Sequence, residues 1–257
     1  MWPVNHATAQ HLHLNACLPR NAVLLLFVWL CVLGVSGSVL AHEDGNPLLS
    51  TFMLNKLEQG AGKDRPQTLD AEAWLGYDFN KLWLKVESDA KREEVEKTEL
   101  QLLYSLAIAP FWDVQMGVRH DFRRGVSRRD EKNWAVLGFE GLAPYFFDVN
   151  VALFIRDEGE TALHFDAAYD LLFSQRLILR PEFSVNVNGY NDATMKQGAG
   201  VADVNAGLRL RYEIRREFAP YIGWNYQKSY GNTAAFKAAA GEDSHQAQWL
   251  LGIKAWY

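Results

Sequence analysis

The stretch 204–226, VNAGLRLRYEIRREFAPYIGWNY, decides how this chain is read. In its first half Val204, Ala206, Leu208, Leu210 and Tyr212 alternate with Asn205, Gly207, Arg209, Arg211 and Glu213. The charged segment 214–217 reverses the chain. Alternation then resumes, with Pro220, Ile222, Trp224 and Tyr226 set against Tyr221, Gly223 and Asn225. A period of two, with Leu, β-branched and aromatic residues on one side, predicts a hairpin of two half-buried strands. The other side carries charges that a dry core would have to desolvate at high cost. A wet inner face with an apolar outer face inverts the soluble sheet and matches the wall of a transmembrane β-barrel.

Outward from this hairpin the pattern recurs. Candidate strands are 49–58, 69–79, 82–88, 98–108, 113–122, 133–142, 147–156, 162–172, 176–188 and 247–257, which with the hairpin make twelve. Short turns follow the even strands. Longer polar connections follow the odd ones: 59–68, 89–97, 123–132, 157–160, 189–201 and 229–245. That parity predicts an antiparallel up-and-down transmembrane barrel with short periplasmic turns, long external loops and both termini periplasmic, in contact with outer-membrane lipid. A sandwich needs long crossovers at scattered positions instead.

The first 41 residues stand apart. Arg20 precedes an apolar run, 22–35, that is too short to span a bilayer as a helix. Val39-Leu40-Ala41 supplies the small residues of a signal-peptidase site, so cleavage after Ala41 is expected. The organisation is then a signal peptide (1–41), a short periplasmic segment (42–48) and a barrel (49–257). Both cysteines, Cys17 and Cys31, fall in the leader, leaving the mature chain without thiol chemistry. Of the 26 Lys and Arg only Arg20 precedes residue 42, whereas all 31 Asp and Glu follow it, so the mature net charge is −6. Nothing in that balance suggests a nucleic-acid partner.

Several blocks carry a resemblance. Trp83-Leu84-Lys85, Gly141-Leu142-Ala143-Pro144-Tyr145, the run RLILRPE at 176–182, the stretch 207–223 and Ala240-Gly241-Glu242-Asp243 together resemble the copper resistance protein B family. The resemblance implies an outer-membrane barrel of a copper resistance or homeostasis system, copper ions as ligand, and a soluble periplasmic multicopper oxidase as partner. Family members commonly carry a Met- and His-rich N-terminal extension. Here only His42-Glu43-Asp44-Gly45 follows the expected cleavage site.

Copper in its two oxidation states takes thioether, imidazole and oxygen ligands. The mature chain offers Met53, Met116 and Met195 with His42, His120, His164 and His245, in no dense spacing. His164 leads, because the register Ala162, His164, Asp166 sets it on the polar face beside a carboxylate. His120 falls on the apolar parity near a loop, Met195 and His245 lie in or beside loops, and Met116 points toward lipid. His42, as the new terminus, combines an amine with its own imidazole. The polar parity also gathers Asp70, Glu72, Lys85, Glu87, Glu99, Arg119, Asp121, Glu140, Asp148, Asp166, Asp170, Arg176, Arg180, Glu182, Asp203, Arg209 and Arg211. These are expected to fill the lumen as paired charges, as a polar path for a small cation, or as both.

The functional expectation is weak copper binding and assistance in copper passage or handling at the outer membrane. The alternative is a nonspecific small porin, or a structural barrel without a metal role. An enzyme is not expected: no Gly-x-Ser-x-Gly elbow occurs, and Ser244-His245 has only Asp243 nearby to orient it.

Overall fold

A computed structural model describes residues 47–61, 65–91, 94–123, 131–193 and 195–257. The expected leader and His42 lie outside the described residues. From Leu49 onward the chain is nearly all sheet: β1 Leu49–Gly60, β2 Gln67–Gly76, β3 Asn80–Lys91, β4 Glu94–Ala109, β5 Trp112–Arg123, β6 Lys132–Ala143 and β7 Phe147–Ile155. Then come β8 Thr161–Ala168, β9 Leu171–Leu172, β10 Leu177–Asn188, β11 Gly200–Tyr212, β12 Phe218–Ser229 and β13 His245–Trp256. Each long strand is antiparallel to the next, and β13 pairs with β1, so the sheet closes on itself. The two-residue β9 continues β8 against β10, which makes a closed barrel of twelve strands.

The deciding hairpin behaves as its sequence requires. Gly207, Arg209, Tyr221 and Gly223 are buried, whereas Leu208, Tyr212 and Ile222 are exposed. Across the wall, Leu102, Val118, Leu137, Phe183 and Leu251 are likewise exposed on the outside. In water such a surface would be a liability; against hydrocarbon it is the apolar band of a membrane barrel.

Four sequence expectations need correction. The connection expected over 89–97 is mostly strand, because the alternation runs on to Lys91 and resumes at Glu94. The connection expected over 229–245 contains a helix, α1, Gly231–Ala239, in which Ala234, Ala235, Lys237, Ala238 and Ala239 are strong helix formers. The strand expected over 162–172 breaks at Tyr169 and Asp170, where the Tyr169 amide still donates to the Pro181 carbonyl at 3.1 Å. Arg176 sits exposed in the turn before β10 and does not point into the lumen.

One irregularity matters for the site. β1 slips register against β2 between Leu54 and Lys56, and against β13 between Leu54 and Leu57. Such a bulge leaves an extra residue in one strand and re-aims those beyond it. Met53, Asn55 and Lys56 consequently all line the lumen, and Glu58 follows them inward.

Candidate functional site: the charged lumen

The barrel encloses a cavity of about 1630 Å³, and its walls are chemically unequal. On the β1 and β10–β12 side an ion-pair belt crosses several strands. Arg209 grips Glu58 through Nε at 2.6 Å and Nη2 at 3.1 Å, and its Nη1 reaches Glu182 at 2.8 Å. The Tyr221 hydroxyl donates to Glu58 at 2.8 Å, and Lys56 adds an ammonium 2.9 Å from Glu182. Next to them Arg180 bridges Asp148 at 2.8 Å and Asp170 at 3.1 Å, while Arg211 holds Asp170 at 2.7 Å. Charges this buried are tolerated because each has a partner.

The β3–β8 side mixes charge with apolar bulk. Trp83, Leu103, Trp134, Val136, Ala152 and Phe154 form a buried cluster facing inward, with Met53 packed against it. Arg119 lies 4.5 Å from the centre of the Phe154 ring and pairs with Glu99 at 2.8 Å and Asp121 at 2.6 Å. Lys85 on β3 reaches Glu140 on β6 at 2.8 Å, a brace between non-adjacent strands.

Across β2 to β5 runs a row of carboxylates in direct register: Asp70 opposite Glu87, Glu87 opposite Glu99, and Glu99 opposite Asp121. Like charges placed opposite one another destabilise a sheet. At the β4–β5 end Lys97 and Arg119 neutralise the row. At the β2–β3 end Asp70 has a single long hydrogen bond from Asn55, at 3.5 Å, and feels the charges of Lys56 and Lys85 without forming an ion pair with either. Among the described residues Glu87 has neither hydrogen bond nor ion pair. His164 on β8 feels the charge of Glu87 across the lumen.

The expected ligands do not converge. Among the described residues no three His, Cys, Asp or Glu side chains are arranged to hold a metal ion. His164 does face the lumen: its Nε2 contacts Asp166, and its Nδ1 lies 2.6 Å from Asn186 Oδ1 on β10. His120 is turned outward, edge-on to Phe122, with Nδ1 2.5 Å from Asn133 Oδ1. His245 is exposed at the start of β13. Met116 is exposed on the outer face, as its parity requires. Met195 belongs to the β10–β11 connection but is 7% exposed, and it lines the cavity beside Lys97 and Lys132. Both ammonium groups are ion-paired, Lys97 with Glu99 and Lys132 with Asp192 at 2.8 Å, and Asp121 lines the same space. Glu72 lines the lumen opposite Lys85 on the neighbouring strand.

The long-loop end is partly covered. Thr233 on α1 is 2% exposed, and its hydroxyl accepts the Gly198 amide at 2.9 Å. Gly198 leaves no room for a side chain, since a Cβ there would lie 2.4 Å from the Thr233 nitrogen. Asn232 donates to Asn191 at 2.9 Å, Lys196 pairs with Glu242, and Lys237 reaches Asp203 at 3.1 Å. Beneath them the Tyr190 hydroxyl donates to Gln197 at 2.5 Å, and burial raises that phenol above its ordinary range. The β10–β11 and β12–β13 connections are thereby joined into one cover.

A closed twelve-stranded barrel with this lumen can be compared with known proteins. The family model described as "Copper resistance protein B precursor" matches residues 48–257. The chain belongs to the copper resistance protein B family. Copper resistance protein B of Escherichia coli is 40% identical over 206 residues, which cover 80% of this chain and 68% of that protein. A copper resistance protein B homolog of Pseudomonas syringae pv. tomato is 38% identical over 209 residues, covering 81% and 70%. The NanC porin structure aligns with TM-score 0.53 at 12% identity, over 80% of this chain and 99% of that one. That likeness concerns the fold, an outer-membrane barrel. In this member of the family the lumen residues that the sequence did not single out are Lys56, Glu58 and Tyr221. The first two are hidden by the bulge; Tyr221 already stood on the polar parity of the hairpin.

Proposed function

We propose that this chain is an outer-membrane barrel of a copper resistance system that binds copper ions weakly in its lumen and assists their passage or handling. Both termini and the short turns face the periplasm, and no enzymatic step is involved. The observation that carries the reading is the under-neutralised pair Asp70 and Glu87 in register, with His164 and Asp166 across the lumen. A mobile cation between them relieves the repulsion that the protein leaves in place. Imidazole and carboxylates offer Cu(II) suitable donors without a closed cage, so the ion can leave again. A periplasmic multicopper oxidase is the partner that family membership suggests.

A nonspecific porin is the second reading, and the barrel fold alone suits it equally. The cover over the long-loop end and the Lys85–Glu140 brace favour the selective one, because both narrow the way for larger solutes. A deletion strain tests the choice. Copper sensitivity with altered cell copper, and unchanged uptake of small sugars and amino acids, is the expected outcome. General loss of small-solute uptake with normal copper tolerance would replace it with the porin.

A further inference from the structure

The short-turn end of the barrel carries an uneven distribution of charge. The β2–β3 turn holds Asp78, and the β4–β5 and β6–β7 turns hold Pro110-Phe111 and Pro144-Tyr145-Phe146. All three exposed turn arginines sit elsewhere, on two adjacent turns: Arg176 before β10, and Arg215 and Arg216 between β11 and β12, where Glu213 is drawn toward Arg211 and Arg216 and Glu217 is exposed. The Glu213 amide donates to the Arg176 carbonyl at 2.8 Å, which ties the two turns side by side. Among the described residues Arg176 and Arg215 have no ion-pair partner, and Arg216, 71% exposed, has only Glu213 at 3.3 Å.

The depth of these arginines follows from their neighbours. Tyr212 ends β11 and Phe218 begins β12; both are exposed on the outer, apolar parity. Phe173 is exposed in the turn beside them. Aromatic side chains of this kind mark the boundary between acyl chains and headgroups. Arg215 stands three residues past Tyr212 and three before Phe218 in a reversing turn, so it lies within about 10 Å of that boundary at roughly 3.3 Å per residue. That is the layer of lipid phosphates. Guanidinium groups bind phosphate oxygens with paired, charge-assisted hydrogen bonds.

We infer that Arg176, Arg215 and Arg216 form a site for the phosphate headgroup of an anionic phospholipid in the periplasmic leaflet, with Tyr212, Phe218 and Phe173 against its acyl chains. The inference rests on the membrane reading of the outer face and is independent of copper. The site gives one side of the barrel a preferred lipid, whereas the β2–β3, β4–β5 and β6–β7 turns offer a carboxylate or apolar contact and no arginine.

The full chain, reconstituted in nanodiscs of phosphatidylethanolamine with phosphatidylglycerol, provides the test. Native mass spectrometry after release into detergent should show phosphatidylglycerol retained in preference to phosphatidylethanolamine. R176Q/R215Q/R216Q should lose that preference several-fold, while Lys228→Gln at the opposite end keeps it. Heat-modifiable gel migration reports insertion separately; a parent chain that does not insert would overturn the membrane reading itself. If the triple variant fails to insert, the single Arg215→Gln variant should still show a graded loss. Equal retention of the two lipids by the parent, or undiminished preference in an inserted variant, would overturn the site. Capture of an acidic soluble protein without lipid preference would overturn it as well.

Discussion

Arg209 and Glu58 are 151 residues apart in sequence and form a two-point guanidinium–carboxylate pair inside the barrel. The pair spans from β11 to β1, across the closing seam between β13 and β1. Removing one partner of a buried pair leaves the other charge unbalanced, at a cost of up to about 3–5 kcal/mol. Glu58→Gln should therefore lower the temperature at which the folded band converts to the unfolded one on gels. A Glu58→Gln/Arg209→Met double variant should recover part of the loss. No shift in the single variant would mean that lumen water, and not Arg209, balances Glu58.

His164→Ala should leave the barrel inserted and heat-modifiable, because no lipid-facing group is lost. Copper association with the purified protein should fall. Met195→Leu should leave copper association unchanged, since among the described residues no imidazole or second thioether lines the small space beside that sulfur. The reverse pattern in a copper titration would move the site to the cover.

Glu87→Gln separates binding from stability. Its carboxylate stands opposite both Asp70 and Glu99, so neutralising it should hold or raise thermal stability. Copper association should drop in the same protein. A variant that is both less stable and unchanged toward copper would show Glu87 to be structural.

Depth governs the outer face. Phe183 lies mid-strand in β10 and is exposed to lipid, so Phe183→Arg should disfavour insertion by about 2–4 kcal/mol. Leu179, three residues into the same strand, is nearer the short-turn boundary, where the cost falls to about 0–1 kcal/mol. Equal penalties in a vesicle-insertion titration would contradict this placement.

Acid should loosen the cover. The Glu242 carboxyl is held below its ordinary value of 4.5 chiefly by the hydrogen bond from Lys196. A depressed folded value gives stability that is present above the unfolded value and lost as pH falls through the folded one. Hydrogen exchange in α1 should thus rise below about pH 4.5. Glu242→Gln should show fast exchange at every pH; a pH step that survives in it would assign the effect elsewhere.

The wall of this protein was legible because lipid and lumen impose a strict period of two. Leu208, Leu210 and Tyr212 against Arg209 and Arg211 state the answer without help from any distant residue. What escaped has local causes. A bulge adds one residue without a sequence signal, so Lys56 and Glu58 changed faces unseen. The break at Tyr169 and Asp170 likewise interrupts a strand whose alternation continues through it. The α1 segment was detectable: Gly231-Asn232-Thr233-Ala234-Ala235-Phe236-Lys237-Ala238-Ala239 is rich in helix formers. The inward cluster of Trp83, Trp134 and Phe154 was hidden by the opposite assumption, that a lumen must be polar throughout. Which of the many inward charges would remain under-neutralised depended on strand register, as Asp70 and Glu87 illustrate.

The seam carries a consequence for assembly. Phe52 and Tyr257 exchange backbone hydrogen bonds of 2.9 and 2.8 Å, and Leu54 lies opposite Ala255. Until β13 has emerged and found β1, the sheet has two open edges, each a row of unsatisfied amides and carbonyls able to template foreign pairing. No ordering of the earlier hairpins removes that exposure. Only the β1–β13 seam removes both edges at once, so the short contact at the chain's two ends protects the whole sheet.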